Sequence, residues 1–394
     1  MQKVDFFYKG NHNFCLPVLL LVLGIAIFGI FMVHSASSFN ATKQYGDSMF
    51  FTTKQIIGVV LGACAMIFCY FVNYNWLQKI GWLALGIGIA VLCVVFIPGV
   101  GIESYGARRW IGFGALSFQA SEIAKFCFII FASTYMAKNY HKMNTFKGTF
   151  PVILSGCLMC VLILLEPNMS ITICVGVLMI VMLLVGGMKL RHLCLMGLPA
   201  IALVPALILL EPYRLKRLMA FLDPWASPQG EGFQLIQSLY SLGAGGWFGV
   251  GLGNSRQKFS FLPFSESDFI FSIIGEELGF VGCLLLIFAF GLLIFYGFKI
   301  AIRAKNRFGC YLATGITTIL AVQVVLNIAV VTGAIPPTGL PLPLISAGST
   351  SLVMFMGGIG LLLNIYRQSL DPFKVKLFDK GRENLKVQIK KQNI

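Results

Sequence analysis

Charge is what this 394-residue chain has least of. Only 11% of its residues are Asp, Glu, Lys or Arg, just fifteen of them are acidic, and 57% are hydrophobic, for a mean hydropathy of +0.84. No water-soluble core can hide so much apolar surface, which excludes a soluble globular protein and leaves an integral membrane protein. Histidine is equally scarce: His12, His34, His141 and His192 lie at the ends of apolar runs and form no cluster, so neither a haem nor a histidine metal site is expected. The eleven cysteines fall in or beside those runs. Cys157-Leu-Met-Cys160 has metal-like spacing but no second pair, so buried structural thiols are the better reading. Also missing are a soluble domain, a sequence repeat and a low-complexity tract.

What is present is a series of apolar runs of about 17 to 25 residues, each long enough for about 30 Å of hydrocarbon. They predict ten helices near 15–34, 55–72, 80–97, 120–137, 149–165, 169–186, 193–210, 269–298, 309–332 and 346–366. The first reads as a full span rather than a cleavable signal. The expected organisation is an all-α polytopic membrane domain over 1–366, with one large outer loop near 211–268, followed by a basic tail over 367–394. Basic residues orient the chain, because Lys and Arg are retained on the cytoplasmic side. With the N-terminus inside, 20 of the 30 basic residues lie inside, including eight in the tail, and nine lie outside. Both termini are therefore expected in the cytoplasm and the long loop outside. The net charge of +15 is then a topology signal, and no nucleic-acid partner is expected.

The outer loop carries the polar chemistry. Asp268 stands where it re-enters a helix, and Arg108, Arg109, Arg214, Lys216, Arg217, Arg256 and Lys258 are also placed outside. Several cations with a few carboxylates suit an anionic phosphate substrate and one proton acceptor. Asp268 is equally well placed to cap the helix that follows it. Glu122 and Lys125, three apart on the fourth span, share a face and read either as a structural ion pair or as a pair positioning a substrate group. Glu276-Glu277 lie inside a span, where at least one must face a polar interior. Gly249-Val-Gly-Leu-Gly-Asn254 follows no strand and reads as a tight turn, not a nucleotide site. A transferase working outside the cell has no nucleotide donor, so its activated group must arrive on a lipid, as a pyrophosphate. The segment Ile335 to Ser351 carries four prolines and no charge, and is expected to form a rigid cap or a re-entrant stretch lining a cavity.

Several segments occur together in the order of one family: Gly106-Ala-Arg-Arg-Trp-Ile111, Ser121-Glu-Ile-Ala-Lys125, Arg214-Leu-Lys-Arg-Leu218, Phe221-Leu-Asp-Pro-Trp225 and Gly232-Phe-Gln-Leu-Ile-Gln-Ser238. The Gly249 turn, Asp268-Phe-Ile-Phe271, Glu276-Glu-Leu-Gly279 and Gly339-Leu-Pro-Leu-Pro343 follow. The chain resembles the SEDS (shape, elongation, division and sporulation) proteins, and is closer to the FtsW/SpoVE branch than to RodA. The resemblance implies a peptidoglycan glycosyltransferase that polymerises lipid II at the outer face of the bacterial cytoplasmic membrane, inverting an undecaprenyl-pyrophosphate-linked donor. It implies a class B penicillin-binding protein as partner, with other divisome or sporulation proteins. It makes Asp268 the essential acid and matches Arg109, Glu122 and Lys125 to substrate-binding positions. Arg108, Arg214, Lys216 and Arg217 would join Arg109 in offsetting the leaving charge, with a divalent cation (Mg or Mn) as an open addition. Two departures stand out: Glu166-Pro-Asn168 lacks the common Pro-Asp carboxylate, and Ser346-Ala-Gly-Ser replaces an aromatic-Gly-Gly-Ser. The competing readings are a flippase for lipid-linked precursor, whose polar groups would sit near the bilayer midplane, and a noncatalytic scaffold.

Overall fold

In the computed structural model the described residues are 14–104, 107–113, 116–192, 194 and 212–370. Seven of their helices are long and apolar enough to cross a membrane: α1 (Cys15–Tyr45), α2 (Phe50–Phe71), α4 (Ala120–Lys138), α5 (Phe146–Leu165), α9 (Ile270–Arg303), α10 (Arg307–Val331) and α11 (Ser349–Ser369). Two shorter apolar helices, α3 (Gly81–Val94) and α6 (Met169–Val185), match two further expected spans. The expected span 193–210 lies outside the described residues. The loop beyond it contains α7 (Pro212–Leu222) and α8 (Phe233–Gly245).

The apolar surplus is visible on the outside of the bundle. Leu16, Leu20, Ile27 and Phe31 of α1 are exposed at helical spacing, while Val18, Val22, Ile25 and Met32 are buried. Both faces are greasy, because one meets hydrocarbon and the other meets neighbouring helices. The most extensive packing joins α2 to α11, α3 to α4 and α9 to α10. At the first of these, Gly360 of α11 lies against the Met66 backbone, where a Cβ would collide.

Three departures from the expected spans have physical causes. First, α1 continues to Tyr45, eleven residues past the predicted end at 34. At 1.5 Å per residue it is about 46 Å long, more than the hydrocarbon needs. Its extension docks the outer loop: Ser265 Oγ donates to the Ala36 carbonyl (3.2 Å), and Ser260 Oγ donates to Asn40 Oδ1 (2.9 Å).

Second, the expected span 269–298 is two pieces. Gly279 (φ +68°) breaks α9, and a side chain there would strike the backbone of Trp247, Phe248 and Gly249. Before the break, Ile270 to Glu277 are all buried; after it, Phe280, Leu284, Leu285 and Phe288 face outward. The piece 280–303 alone is about 36 Å long and spans by itself. The first piece is thus an interior helix carrying Asp268 at its head.

Third, the segment near Arg108 is not a plain loop. β1 (Gly101–Ser104), β2 (Ala107–Phe113) and β3 (Leu116–Gln119) form an antiparallel sheet in the order β1-β2-β3, a small exception to the otherwise helical fold of the described residues.

Candidate functional site

A cavity of about 870 Å³ lies where β2, α5, α6, α7, the head of α9 and the proline-rich segment meet. Arg109, Asn168, Ser170, Arg217, Asp268 and Thr338 supply its polar lining; Leu164, Leu165, Ile173, Leu326 and Ile335 make part of the wall apolar.

Arg109 reaches the cavity because of a β-bulge. Ile102 pairs with Trp110 and Glu103 with Arg108, which leaves Arg109 as the extra residue of β2. Bulges re-aim side chains in this way. The guanidinium donates from Nε to the Glu166 carbonyl (3.1 Å) and from Nη2 to the Pro167 carbonyl. Arg217, on α7, donates to the Pro337 carbonyl (3.3 Å). The two arginines thus hold backbone carbonyls of the cavity lining, which phosphate oxygens outcompete as acceptors because they carry a full negative charge and match the guanidinium fork in a bidentate pair.

Asp268 does not cap the helix it precedes. Phe269 is the N-cap of α9 and no side chain caps it. The carboxyl stays partly accessible through the cavity but is ringed by protein. That desolvation, with the Glu266 carboxylate adding to it, pushes its pKa up to about 6 against the opposing pull of Arg217 and Arg109. Gly339 (φ +71°) lies beside it, where a Cβ would sit 3.4 Å from Asp268 Oδ2. Ser170 Oγ donates to the Thr338 carbonyl, pinning the proline-rich segment to α6.

The other expected site residues separate clearly. Glu122 and Lys125 are fully buried and do not line the cavity; Lys125 Nζ bridges Glu122 Oε1 (2.7 Å) and Gln323 Oε1 (2.8 Å). Gln323 in turn donates to the Pro341 carbonyl (3.0 Å), so the pair supports the cavity wall from behind. Arg108 is exposed, Lys216 is exposed on α7, and neither is among the lining residues. The Arg214 side chain lies outside the described residues. Asn168 uses its Oδ1 to cap α6 by accepting from Ile171 N (3.3 Å), a task an Asp performs as well. Its neighbour Glu166 is buried with both carboxyl oxygens unpartnered, and burial outweighs Arg109 to push its pKa up to about 8.

Sequence reading missed Gln323 and Asn327, two buried amides one turn apart on α10. Their signal was there: amides in an apolar helix just before a proline-rich segment whose carbonyls have no helical partners. Glu276 and Glu277 prove to be joints of the outer loop. Glu276 accepts from Arg256 N (2.8 Å), Ser255 Oγ (2.5 Å) and Ser241 Oγ (3.1 Å); Glu277 accepts from Ser35 Oγ (2.6 Å) and Lys258 Nζ (3.4 Å). The Gly249 turn docks on them, with Val250 N on the Glu276 carbonyl and Gly251 N on that of Glu277. Of the two cysteines at metal-like spacing, Cys157 is exposed on the outside of α5 rather than buried, and Cys160 leans on the Thr172 carbonyl.

A helical bundle that gathers one desolvated carboxylate and two arginines around a half-apolar cavity is the layout of a polytopic membrane enzyme. The chain belongs to the FtsW/RodA/SpoVE family of cell cycle proteins, whose model matches residues 16–370. It is 41% identical to the stage V sporulation protein E of Bacillus subtilis over 358 residues, covering 90% of this chain and 98% of that protein. It is 38% identical to a probable peptidoglycan glycosyltransferase FtsW of Geobacter sp. strain M18, covering 88% and 95%. Among solved structures, a chain of a peptidoglycan synthase complex described as coordinating polymerization and crosslinking superposes with a TM-score of 0.74 at 30% identity, covering 90% of this chain and 98% of that one. The rod shape determining protein RodA of Thermus thermophilus gives 0.66 at 26% identity, covering 90% and 97%.

Proposed function

We propose that this chain is a peptidoglycan glycosyltransferase that polymerises lipid II, with Asp268 as general base. The observation that carries the reading is that Asp268 shares one cavity with Arg109 and Arg217, both of which act on its charge, and that the lining of this cavity mixes polar with apolar side chains. Lipid II is mixed in the same way, a sugar and pyrophosphate joined to a polyprenyl chain.

Asp268 takes the proton from the 4-hydroxyl of the acceptor sugar, whose oxygen attacks the anomeric carbon of the donor chain. The bond to the lipid pyrophosphate breaks as the new glycosidic bond forms, so the anomeric centre inverts. A base with a pKa of about 6 is roughly nine-tenths ionised at pH 7 and stays basic enough to accept a proton as the hydroxyl becomes acidic in the transition state. Arg109 and Arg217 exchange their wall carbonyls for pyrophosphate oxygens, which offsets the leaving charge. Arg108, Lys216 and Arg214 belong to the same outer cationic group and draw the anionic headgroup towards it.

Among the described residues no three His, Cys, Asp or Glu side chains converge as a metal cage. A divalent cation, Mg or Mn, would therefore take most of its ligands from substrate phosphate oxygens, the common habit of Mg. Its chemistry would be to neutralise the pyrophosphate.

The loop 211–268 faces outward and both termini face the cytoplasm, as the distribution of Lys and Arg supports. The chain works beside a class B penicillin-binding protein that crosslinks its product, a reading supported by the likeness to the synthase complex. The test is polymerisation of lipid II by the purified protein and by Asp268→Asn, each with and without that partner. Ordinary turnover by the Asn variant overturns the assignment, and loss of lipid flipping without loss of polymer transfers it to a transporter.

A further inference from the structure

The proline-rich segment 335–348 cannot satisfy its own carbonyls, because its prolines prevent a helix. Buried amides from two helices do it instead. Gln55 of α2 donates to the Ile345 carbonyl (3.1 Å), Gln323 of α10 to that of Pro341 (3.0 Å) and Asn327 of α10 to that of Leu340 (2.6 Å). Asn327 differs from the others in one respect. The same Nδ2 also donates to the carbonyl of Asp268 (2.8 Å), joining the segment to the residue that carries the carboxyl. The side chain is almost wholly buried, and its orientation is forced, since the flipped amide would set an oxygen against two carbonyl oxygens. Two more links run in parallel: Ser346 Oγ donates to the Ser267 carbonyl (2.5 Å) and Ala347 N to that of Glu266 (2.9 Å).

We infer that Asn327 is a positioning residue for the polymerase reaction: its amide clamps the backbone of Asp268 to the Gly339–Leu340 wall and so holds the carboxyl inside the cavity. The inference rests on the reading of Asp268 as the base. Asn327 touches neither the carboxyl nor the cavity surface. Its effect passes through the backbone it grips. Neighbouring carbonyls of that wall, Pro337 and Thr338, are held by Arg217 and Ser170, so the clamp also links the base to the wall on which an anionic substrate acts.

Without the clamp the carboxyl gains freedom to swing towards water. The groups that set its charge are Glu266 beside it, Arg217 from α7 and Arg109 from β2, and burial is the largest influence. Relief of burial lowers its pKa towards the ordinary value near 4.

The experiment uses the purified full-length chain and lipid II, and compares Asn327→Leu, which keeps volume but removes the donor, with Asn327→Ala and with Gln55→Met. The last removes a clamp from the same segment without touching Asp268. For both Asn327 variants kcat is expected to fall about 10- to 100-fold, the scale of a misplacement near 1 Å. KM should stay within about threefold, and the acid limb of the residual activity should move down from near pH 6. Gln55→Met should lower thermal stability and leave the acid limb where it was. Because the limb is read on whatever activity survives, poor folding of one variant does not hide the answer. An unmoved acid limb in the Asn327 variants, whether kcat is retained or lost in proportion to folded protein, overturns the inference. Asp268→Asn, run in parallel, separates the two claims. If it is inactive while the Asn327 variants keep a normal limb, only the clamp fails. If it is fully active, the base itself fails.

Discussion

Asp268 and Glu166 show how one force, desolvation, gives two carboxyls different work. Asp268 keeps access to the cavity and two arginines nearby, so its pKa of about 6 leaves it ionised at neutral pH. Asp268→Asn removes the proposed base but keeps the size, and polymerisation should slow by about 10² to 10⁴-fold, the usual worth of a positioned general base. In the unaltered protein the rate should fall about tenfold per unit below pH 6, since protonation silences the base. A limb centred near pH 4 would show that the carboxyl is not desolvated during turnover. Glu166 has no cavity access and no partner for either carboxyl oxygen. Its pKa is raised to about 8, so its neutral form belongs to the folded state; its contribution to stability is full below the ordinary value near 4.5, declines as pH rises from there to about 8, and levels off above it. The margin by which the thermal midpoint of Glu166→Gln exceeds that of the parent should therefore widen between about pH 5 and 8 and level off above 8. A margin that stays flat would show that Glu166 finds a partner on ionising. For Arg109, Lys keeps the charge but not the fork that spans two carbonyls, so Arg109→Lys should retain more polymerisation than Arg109→Ala. Equal inactivity of the two would make planar hydrogen bonding, not charge, the essential property.

Elements in this protein are joined by buried polar contacts that hydrophobic patterning alone cannot specify. The Glu122–Lys125 pair on α4 is fully buried and tied to Gln323 of α10. Lys125→Met would leave Glu122 buried without its cation, a loss on the order of 3–5 kcal/mol, whereas Glu122→Gln with Lys125→Met should recover most of it. Recovery of stability together with polymerisation, measured by thermal shift and product assay on the double variant, is the expected result. Recovered stability with lost activity would restore a direct substrate role to the pair. The same logic applies at the break in α9, where Gly279 and Gly249 meet backbone to backbone. Gly279→Ala adds a Cβ both at positive φ and against Gly249, so folded yield should fall sharply.

Taken whole, the molecule is a multi-pass bundle with the cavity of Arg109, Arg217 and Asp268 built from its long loop and adjoining helix ends. The proposed topology, which follows the distribution of Lys and Arg, puts that cavity on the outer side. A single cysteine introduced at Gln229, in the loop between α7 and α8, should react with an impermeant thiol reagent added to intact spheroplasts. Reaction only after the cytoplasmic side is opened would invert the topology and with it the location of the chemistry. Eleven native cysteines are present, all free and four of them exposed, so the experiment needs a background in which the reactive ones are replaced.

The sequence by itself determined the membrane class and the approximate positions of the seven helices long enough to span it, and it marked Asp268 and several cations as candidates. These are legible because hydrocarbon thickness, helical rise and the expense of intramembrane charge act on local runs of residues. It could not tell a capping Asp from a catalytic one, since both stand just before a helix. The resemblance singled out Arg109, but why Arg109 rather than Arg108 reaches the cavity is answered by a bulge in β2 that shows only once β1 is paired. Glu122 and Lys125 read as a structural pair or as substrate ligands, with the structural reading favoured, and their link to Gln323 of α10 shows only in the tertiary structure. Asn327 acquired its meaning only when the proline-rich segment and the head of α9, 59 residues apart from it at Asp268, came within reach of one amide. Tertiary structure alone fixes where these side chains lie and what they touch. Hydrogen bonds and desolvation depend on which atoms lie within about 3 Å, and in this chain those atoms come from segments far apart in sequence.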